Sequence, residues 1–140
     1  MKRHLITLAA ATLGVAGSPQ LPAAAVGPHS VTNVSQEFVR AYNAEDTEAL
    51  HSLLAFSLQA KYPVEALRTS LTLCRVLTSE IFRISTPVWG ARNFGFFAVH
   101  AETKPFEMIL EIDDNEKIIH LVITDNLAAK EQQCQISYLD

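Results

Sequence analysis

Residues 106–125 read FEMILEIDDNEKIIHLVITD, and this stretch decides the predicted fold. Its first half alternates between apolar and polar side chains, which is the period of a strand with one buried face. The apolar positions of this strand are Phe106, Met108, Leu110 and Ile112. Turn-forming residues 113–116 follow, and residues 117–123 resume as a second β-rich run. A hairpin cannot bury its apolar side alone, so the rest of the chain must cover it.

The second strand of this hairpin is apolar on both sides. Strict alternation places Ile118 and Val122 on one side of the strand. The other side then carries Ile119, Leu121 and Ile123. We expect the outer face to be covered either by residues 127–140 or by a second copy of the chain.

Upstream of the hairpin, apolar residues recur at helical spacing and predict three helices. The first covers residues 31–44, and the second covers residues 47–54 with Asp46 as its N-cap. Residues 55–62 are predicted to be a loop, and Pro63 begins the third helix.

Two further strands complete the pattern. Residues 81–85 form a candidate strand that Pro87 interrupts, which indicates a sheet edge, and residues 94–101 form a firmer strand. Helices followed by strands predict an α+β domain, with three N-terminal helices packed on a four-stranded antiparallel sheet. We place this domain at residues 26–126 and a C-terminal tail at residues 127–140.

The first 25 residues are predicted to be a signal peptide. Residues 2–4 are basic, residues 5–17 are apolar, and residues 23–25 are three alanines that supply a small-x-small cleavage site. The apolar run is too short to span a bilayer, so no stable membrane insertion of the mature chain is expected. The alternative is a helix that rests on the membrane surface. The mature protein is predicted to be exported to the periplasm or the medium.

Charge excludes one class of partner. The formal net charge is -4 at neutral pH. Cleavage after Ala25 removes Lys2 and Arg3 and leaves a mature chain of about 115 residues with a charge of about -6. An acidic surface with scattered basic residues repels a phosphate backbone, so nucleic acid is not an expected partner.

Residues 38–50, FVRAYNAEDTEAL, resemble an opening found in the nuclear-transport-factor-2-like, or SnoaL-like, superfamily. The hairpin at residues 106–125 is similar to the closing strands of that group, and the order of elements is similar to the exported bacterial domain of unknown function 3887. The resemblance implies a cone, in which a curved sheet wraps around a long helix and leaves a pocket at the open end. The group contains enzymes and non-enzymatic binding modules, so the resemblance does not select a function.

No catalytic residue, metal site or cofactor is predicted. The histidines of the predicted elements are His51, His100 and His120, and none of them stands in a metal-binding spacing. Acidic residues 113–116 lack the spacing and the glycine of a calcium loop, and they suit a hairpin turn. Nucleophile and phosphate-loop motifs are absent from the sequence.

The chain has two cysteines, Cys74 and Cys134. In an oxidising compartment they are expected to form a disulfide between the third helix and the tail. The alternative for Cys74 is a buried thiol, because it continues an apolar helix face.

Aromatic residues and one methionine indicate a ligand site inside the cone. The candidate pocket residues are Phe38, Tyr42, Trp89, Phe97, Phe106 and Met108. Such a pocket, with Tyr42 or Arg92 at its mouth, would suit a small apolar molecule.

These observations predict an exported, non-enzymatic binding or interaction module. Its partner is expected to be a small apolar molecule in the cone or a second copy of the chain across the sheet. The alternatives are a small pocket enzyme, isomerase or hydrolase-like, that uses Asp or His, and an accessory subunit of an exported hydrolase.

Overall fold

The computed structural model describes residue 27 and residues 29–138, so the predicted signal peptide lies outside the described residues. Within these residues, four helices are followed by six strands, which confirms the α+β class. The helices are α1 (Ser30–Asn43), α2 (Thr47–Leu53), α3 (Phe56–Lys61) and α4 (Val64–Thr78). The strands are β1 (Ile81–Ile84), β2 (Trp89–Ala91), β3 (Phe94–Ala101), β4 (Pro105–Ile112), β5 (Ile118–Thr124) and β6 (Cys134–Ser137).

The helix starts follow local chemistry. The carboxylate of Asp46 accepts a hydrogen bond from the backbone N–H of Ala49 at 3.0 Å, which confirms it as the N-cap of α2. Pro63 directly precedes α4, where its missing N–H costs nothing. The loop predicted at residues 55–62 is wrong, because α3 lies there. Leu58 is the buried residue of this short helix, so no apolar period reveals it in the sequence.

All strand pairs are antiparallel, and the path across the sheet is β1-β3-β4-β5-β6. The strand β2 pairs with the N-terminal half of β3, and β1 pairs with the C-terminal half of β3. Pro87 lies between β1 and β2, in agreement with the predicted break at a sheet edge. The prediction of four strands was too low, because the short β2 and β6 also join the sheet.

The strand β5 contains a β-bulge that changes the predicted facing of its residues. Glu111 pairs with His120, but the next residue of β4, Ile112, pairs with Ile118 and skips Ile119. Ile118 therefore lies on the same side of the sheet as Leu121, and the prediction that it shares a side with Val122 is wrong.

Helices cover one face of the sheet, which we call the inner face. Its residues interdigitate with apolar side chains of α1, α2 and α4 in one buried cluster. The inner-face members of that cluster are Phe97, Val99, Phe106, Met108, Leu110, Ile112, Ile118, Leu121, Ile123, Cys134 and Ile136. The opposite side, the outer face, has no helix packed over β3 and β4 among the described contacts.

A disulfide ties the last strand to the helical layer. The sulfur atoms of Cys74 and Cys134 lie 2.02 Å apart, which confirms the predicted pairing of α4 with the C-terminal segment. Residues 134–137, predicted as part of a tail, therefore belong to the sheet as β6. Within the described residues, no helix is long and apolar enough to cross a bilayer.

Candidate functional site

The predicted pocket residues lie mainly in the core. Phe38, Phe97, Phe106 and Met108 are almost fully buried, and they fill the space between α1 and the inner face. None of these four residues lines the groove at Tyr42, the groove on the outer side of the sheet, or either of two further surface grooves. Trp89 lies in β2, opposite Phe96 of β3.

Tyr42 borders a groove of about 250 Å³ between the end of α1, α2 and α4. Arg75 crosses this groove: its Nε lies 3.1 Å from a carboxylate oxygen of Glu45, and its guanidinium donates to the carbonyl of Tyr42 at 3.0 Å. The Tyr42 hydroxyl lies 2.7 Å from that of Thr78, and burial raises the pKa of the phenol. These polar groups satisfy one another, so the groove holds the α1–α2 turn against α4.

The outer face carries a second kind of groove, which we call the outer groove. It has a volume of about 400 Å³, and most of its lining is apolar. Its lining residues are Phe94, Ile109, Glu111, Ile119, His120, Ser137 and Tyr138. They come from β3, β4, β5 and the end of β6, so the groove crosses four neighbouring strands.

Strand register aligns the polar groups of the outer groove in one row. Glu111 of β4 lies opposite His120 of β5, and His120 lies opposite Ser137 of β6. The Nδ1 atom of His120 and the Oγ atom of Ser137 are 2.8 Å apart, a hydrogen bond that fixes the imidazole ring. Sequence reasoning missed this row because its three residues are far apart in sequence and because the bulge hides the true register of β5.

The charge state of the row is set by its surroundings. Burial lowers the pKa of His120, and the negative charge of Glu111 opposes that shift in part. His120 is therefore neutral at neutral pH, and it offers one hydrogen-bonding nitrogen beyond the one that Ser137 occupies. Glu111 is half-buried and, among the described residues, is the one acidic side chain that lines the outer groove.

The row resembles a hydrolytic triad in composition, but its geometry suits binding. Ser137 is only 1% exposed, and a nucleophilic hydroxyl must reach its substrate. In hydrolytic triads the acid orients the imidazole and the opposite ring nitrogen contacts the serine. Here Ser137 contacts Nδ1 and positions the ring.

A neighbouring groove of about 550 Å³ shares Ile109 with the outer groove. Residues 129–132, which follow β5, line one side of it, and α3 contributes Lys61 and Tyr62. The ammonium of Lys61 donates to the carbonyl of Ser137 at 2.9 Å and to that of Tyr138 at 3.1 Å. The helix α3 thus anchors the end of β6.

The acidic turn at residues 113–116 and the histidines His51 and His100 lie in ordinary structural environments. A carboxylate oxygen of Asp113 accepts from the backbone N–H groups of Asn115 at 2.8 Å and Lys117 at 2.9 Å, which is turn chemistry. The Nε2 of His51 lies 3.4 Å from the carbonyl of Gln59, and His100 is exposed on β3. Among residues 27 and 29–138, no three His, Cys, Asp or Glu side chains cluster as a metal site would require.

Comparison with known protein families, with curated proteins and with solved structures finds no match for this chain.

Proposed function

We propose that this chain is an exported, non-enzymatic binding module that holds a small, mainly apolar molecule in the outer groove. The observation that carries the proposal is the composition of that groove. It combines a volume of about 400 Å³ and a largely apolar lining with one row of polar groups. Small-molecule sites have this size and this mixture, because apolar walls supply affinity while a few polar groups fix orientation.

The outer groove replaces the cone interior as the proposed site because the interior is filled. Phe38, Tyr42 and Phe97 are buried in the core, and the rings of Phe38 and Tyr42 pack 5.4 Å apart. A ligand there would have to displace core side chains, at a cost of roughly 3–5 kcal/mol for each aromatic residue. The outer groove requires no such displacement.

We further propose membership of the nuclear-transport-factor-2-like superfamily and export from the cytoplasm. The order of a long helix, a short helix, a helix that follows proline, and antiparallel strands supports the family. The signal-like sequence of residues 1–25 and the Cys74–Cys134 disulfide support export, since disulfides persist in oxidising compartments. Mass spectrometry of exported protein tests this proposal, with an expected N-terminus near Val26.

The binding proposal is tested with Nile red, an uncharged dye that fluoresces in apolar sites. Ile109→Ser removes an apolar wall of the outer groove, so we expect the dye to bind about tenfold more weakly. Phe82→Ser is the matched control, since Phe82 is 66% exposed on β1 and does not line the groove. Equal dye binding by wild type and Ile109→Ser, with the fold retained by circular dichroism, would overturn the proposal.

The second candidate is a homodimer formed across the outer face. The half-buried Ile109 and Ile119 favour it, together with Tyr138, because apolar groups at an open sheet face are typical of subunit interfaces. Sedimentation velocity distinguishes the two functions. A dimer that Ile109→Ser dissociates would favour the interface over the ligand site.

A further inference from the structure

We infer that the outer groove selects apolar amines, and that the carboxylate of Glu111 holds the ammonium group of the ligand. The inference rests on the proposed function and names its ligand class. The polar end of such a ligand is a cation, and its aromatic or aliphatic body packs on the apolar walls of the groove.

The Glu111 carboxylate lines the outer groove and is open to a ligand. Within the described part of the chain, no hydrogen bond or ion pair joins the side-chain carboxylate of Glu111 to another residue. It is half-buried among the apolar side chains of Ile109 and Ile119. A carboxylate in such surroundings gains most from a charged donor, because attraction between charges strengthens as water is excluded.

The residues around that carboxylate bring no positive charge into the groove. His120 faces Glu111 across the β4–β5 pair, and its neutral ring adds no positive charge to the groove. Lys61 lines the neighbouring groove and donates to the carbonyls of Ser137 and Tyr138. Among the described residues, no Lys or Arg lines the outer groove to neutralise the negative charge of Glu111.

Two aromatic side chains line the outer groove together with Glu111. Phe94 lies directly opposite Glu111 in the β3–β4 pair, and Tyr138 lines the groove from the end of β6. Aromatic faces attract ammonium groups, and they attract carboxylates poorly. The formal net charge of -4 adds a long-range preference of the same sign.

The test compares three probes of similar size that differ in charge: 2-phenylethylamine, 2-phenylethanol and 3-phenylpropionate. Dissociation constants are measured on the full chain by NMR titration of backbone amides near neutral pH and at low salt. We expect the amine to bind at least about tenfold more tightly than the alcohol, in line with a hydrogen bond to a charged group. The carboxylate probe is expected to bind more weakly than the alcohol.

Variants assign the preference to one residue. Glu111→Gln should reduce amine binding to the level of the alcohol while alcohol binding stays unchanged. Glu107→Gln is the matched control, because Glu107 lies four residues before Glu111 on the same face of β4 and does not line the groove. It should leave both affinities unchanged, so an equal loss in both variants would overturn the inference.

The outcomes separate the inference from the function on which it rests. Equal binding of amine and alcohol in the outer groove would overturn the inference and leave the binding function standing. A groove that binds neither these probes nor Nile red would overturn both. Occupation of the groove by a second copy of the chain, seen as a stable dimer whose groove amides respond to no probe, would also overturn the inference.

Discussion

The side-chain amide of Asn43 forms two hydrogen bonds with the backbone of Ile81. Its Nδ2 donates to the Ile81 carbonyl at 2.7 Å, and its Oδ1 accepts from the Ile81 N–H at 3.0 Å. Asn43 is the last residue of α1, and Ile81 is the first residue of β1. One side chain thus satisfies both backbone groups of Ile81 and fixes the end of the central helix to the edge of the sheet.

We predict that Asn43→Ala lowers the free energy of unfolding by about 2 kcal/mol, because it leaves a donor and an acceptor of Ile81 without their partner. Urea denaturation followed by circular dichroism measures the change. Asn33→Ala, at an exposed position of the same helix, should change stability by less than about 0.5 kcal/mol. Equal effects of the two substitutions would contradict a special role for Asn43.

The Cys74–Cys134 disulfide should contribute strongly to stability. It closes a loop of 60 residues, for which the chain-entropy account gives about 4 kcal/mol. We expect the Cys74→Ala/Cys134→Ala variant to unfold at lower urea concentration than the oxidised wild type. Reductant should lower the midpoint of the wild type and leave that of the variant unchanged, and a wild-type midpoint insensitive to full reduction would contradict the prediction.

The N-cap of α2 offers a local test. Asp46→Ala removes the acceptor for the Ala49 N–H and should cost about 1 kcal/mol of unfolding free energy. Asp46→Ser keeps an acceptor at the cap and should lose less. Thermal unfolding ranks the two variants, and a Ser variant as unstable as the Ala variant would indicate that capping is not the cause.

His120 predicts a pH dependence of stability. Burial lowers its pKa below the ordinary value of 6.5, so the unfolded chain takes up this proton at a higher pH than the folded chain does. The contribution of neutral His120 is fully present above 6.5, and it falls as the pH drops from 6.5 toward the folded pKa. Urea denaturation at a series of pH values should show this slope in the wild type and a smaller slope in His120→Gln.

NMR titration of the imidazole gives an independent measure. The charge of Glu111 raises the pKa of His120, so Glu111→Gln should lower that pKa further. Ser137 faces the ring from β6 without a charge, so it does not alter this sign. A His120 pKa above 6.5 in the folded protein would contradict the assigned burial effect.

Patterned elements were predictable from the sequence. The alternation in β4 and the helical spacing in α1 follow from one buried face each, and these elements begin and end within a residue or two of the expected bounds. The cap at Asp46 and the break at Pro87 depend on single residues whose chemistry is local. The disulfide was predictable because the sequence predicts export, and in an oxidising compartment the two cysteines of the chain can pair with each other.

The features that escaped prediction depend on tertiary structure. The six residues of α3 present one buried side chain, Leu58, and the four residues of β6 form a strand because β5 offers a partner. The bulge at Ile119 leaves no mark in a continuous apolar run. The outer groove depends on that register, since the bulge leaves His120 opposite Glu111 and between β4 and β6.

The exposed connection between β5 and β6 contains Lys130, after which trypsin can cleave. Cys134 follows Lys130 in sequence, and its disulfide partner Cys74 precedes it. A nick after Lys130 would release a C-terminal peptide from most proteins. In this chain the peptide carries Cys134, so it stays covalently joined to α4, and β6 with Ser137 remains in the nicked molecule. Limited cleavage after Lys130 would therefore leave the peptide attached in the intact mass of the unreduced protein, whereas reduction would release it, and the nicked protein would keep a wall of its outer groove.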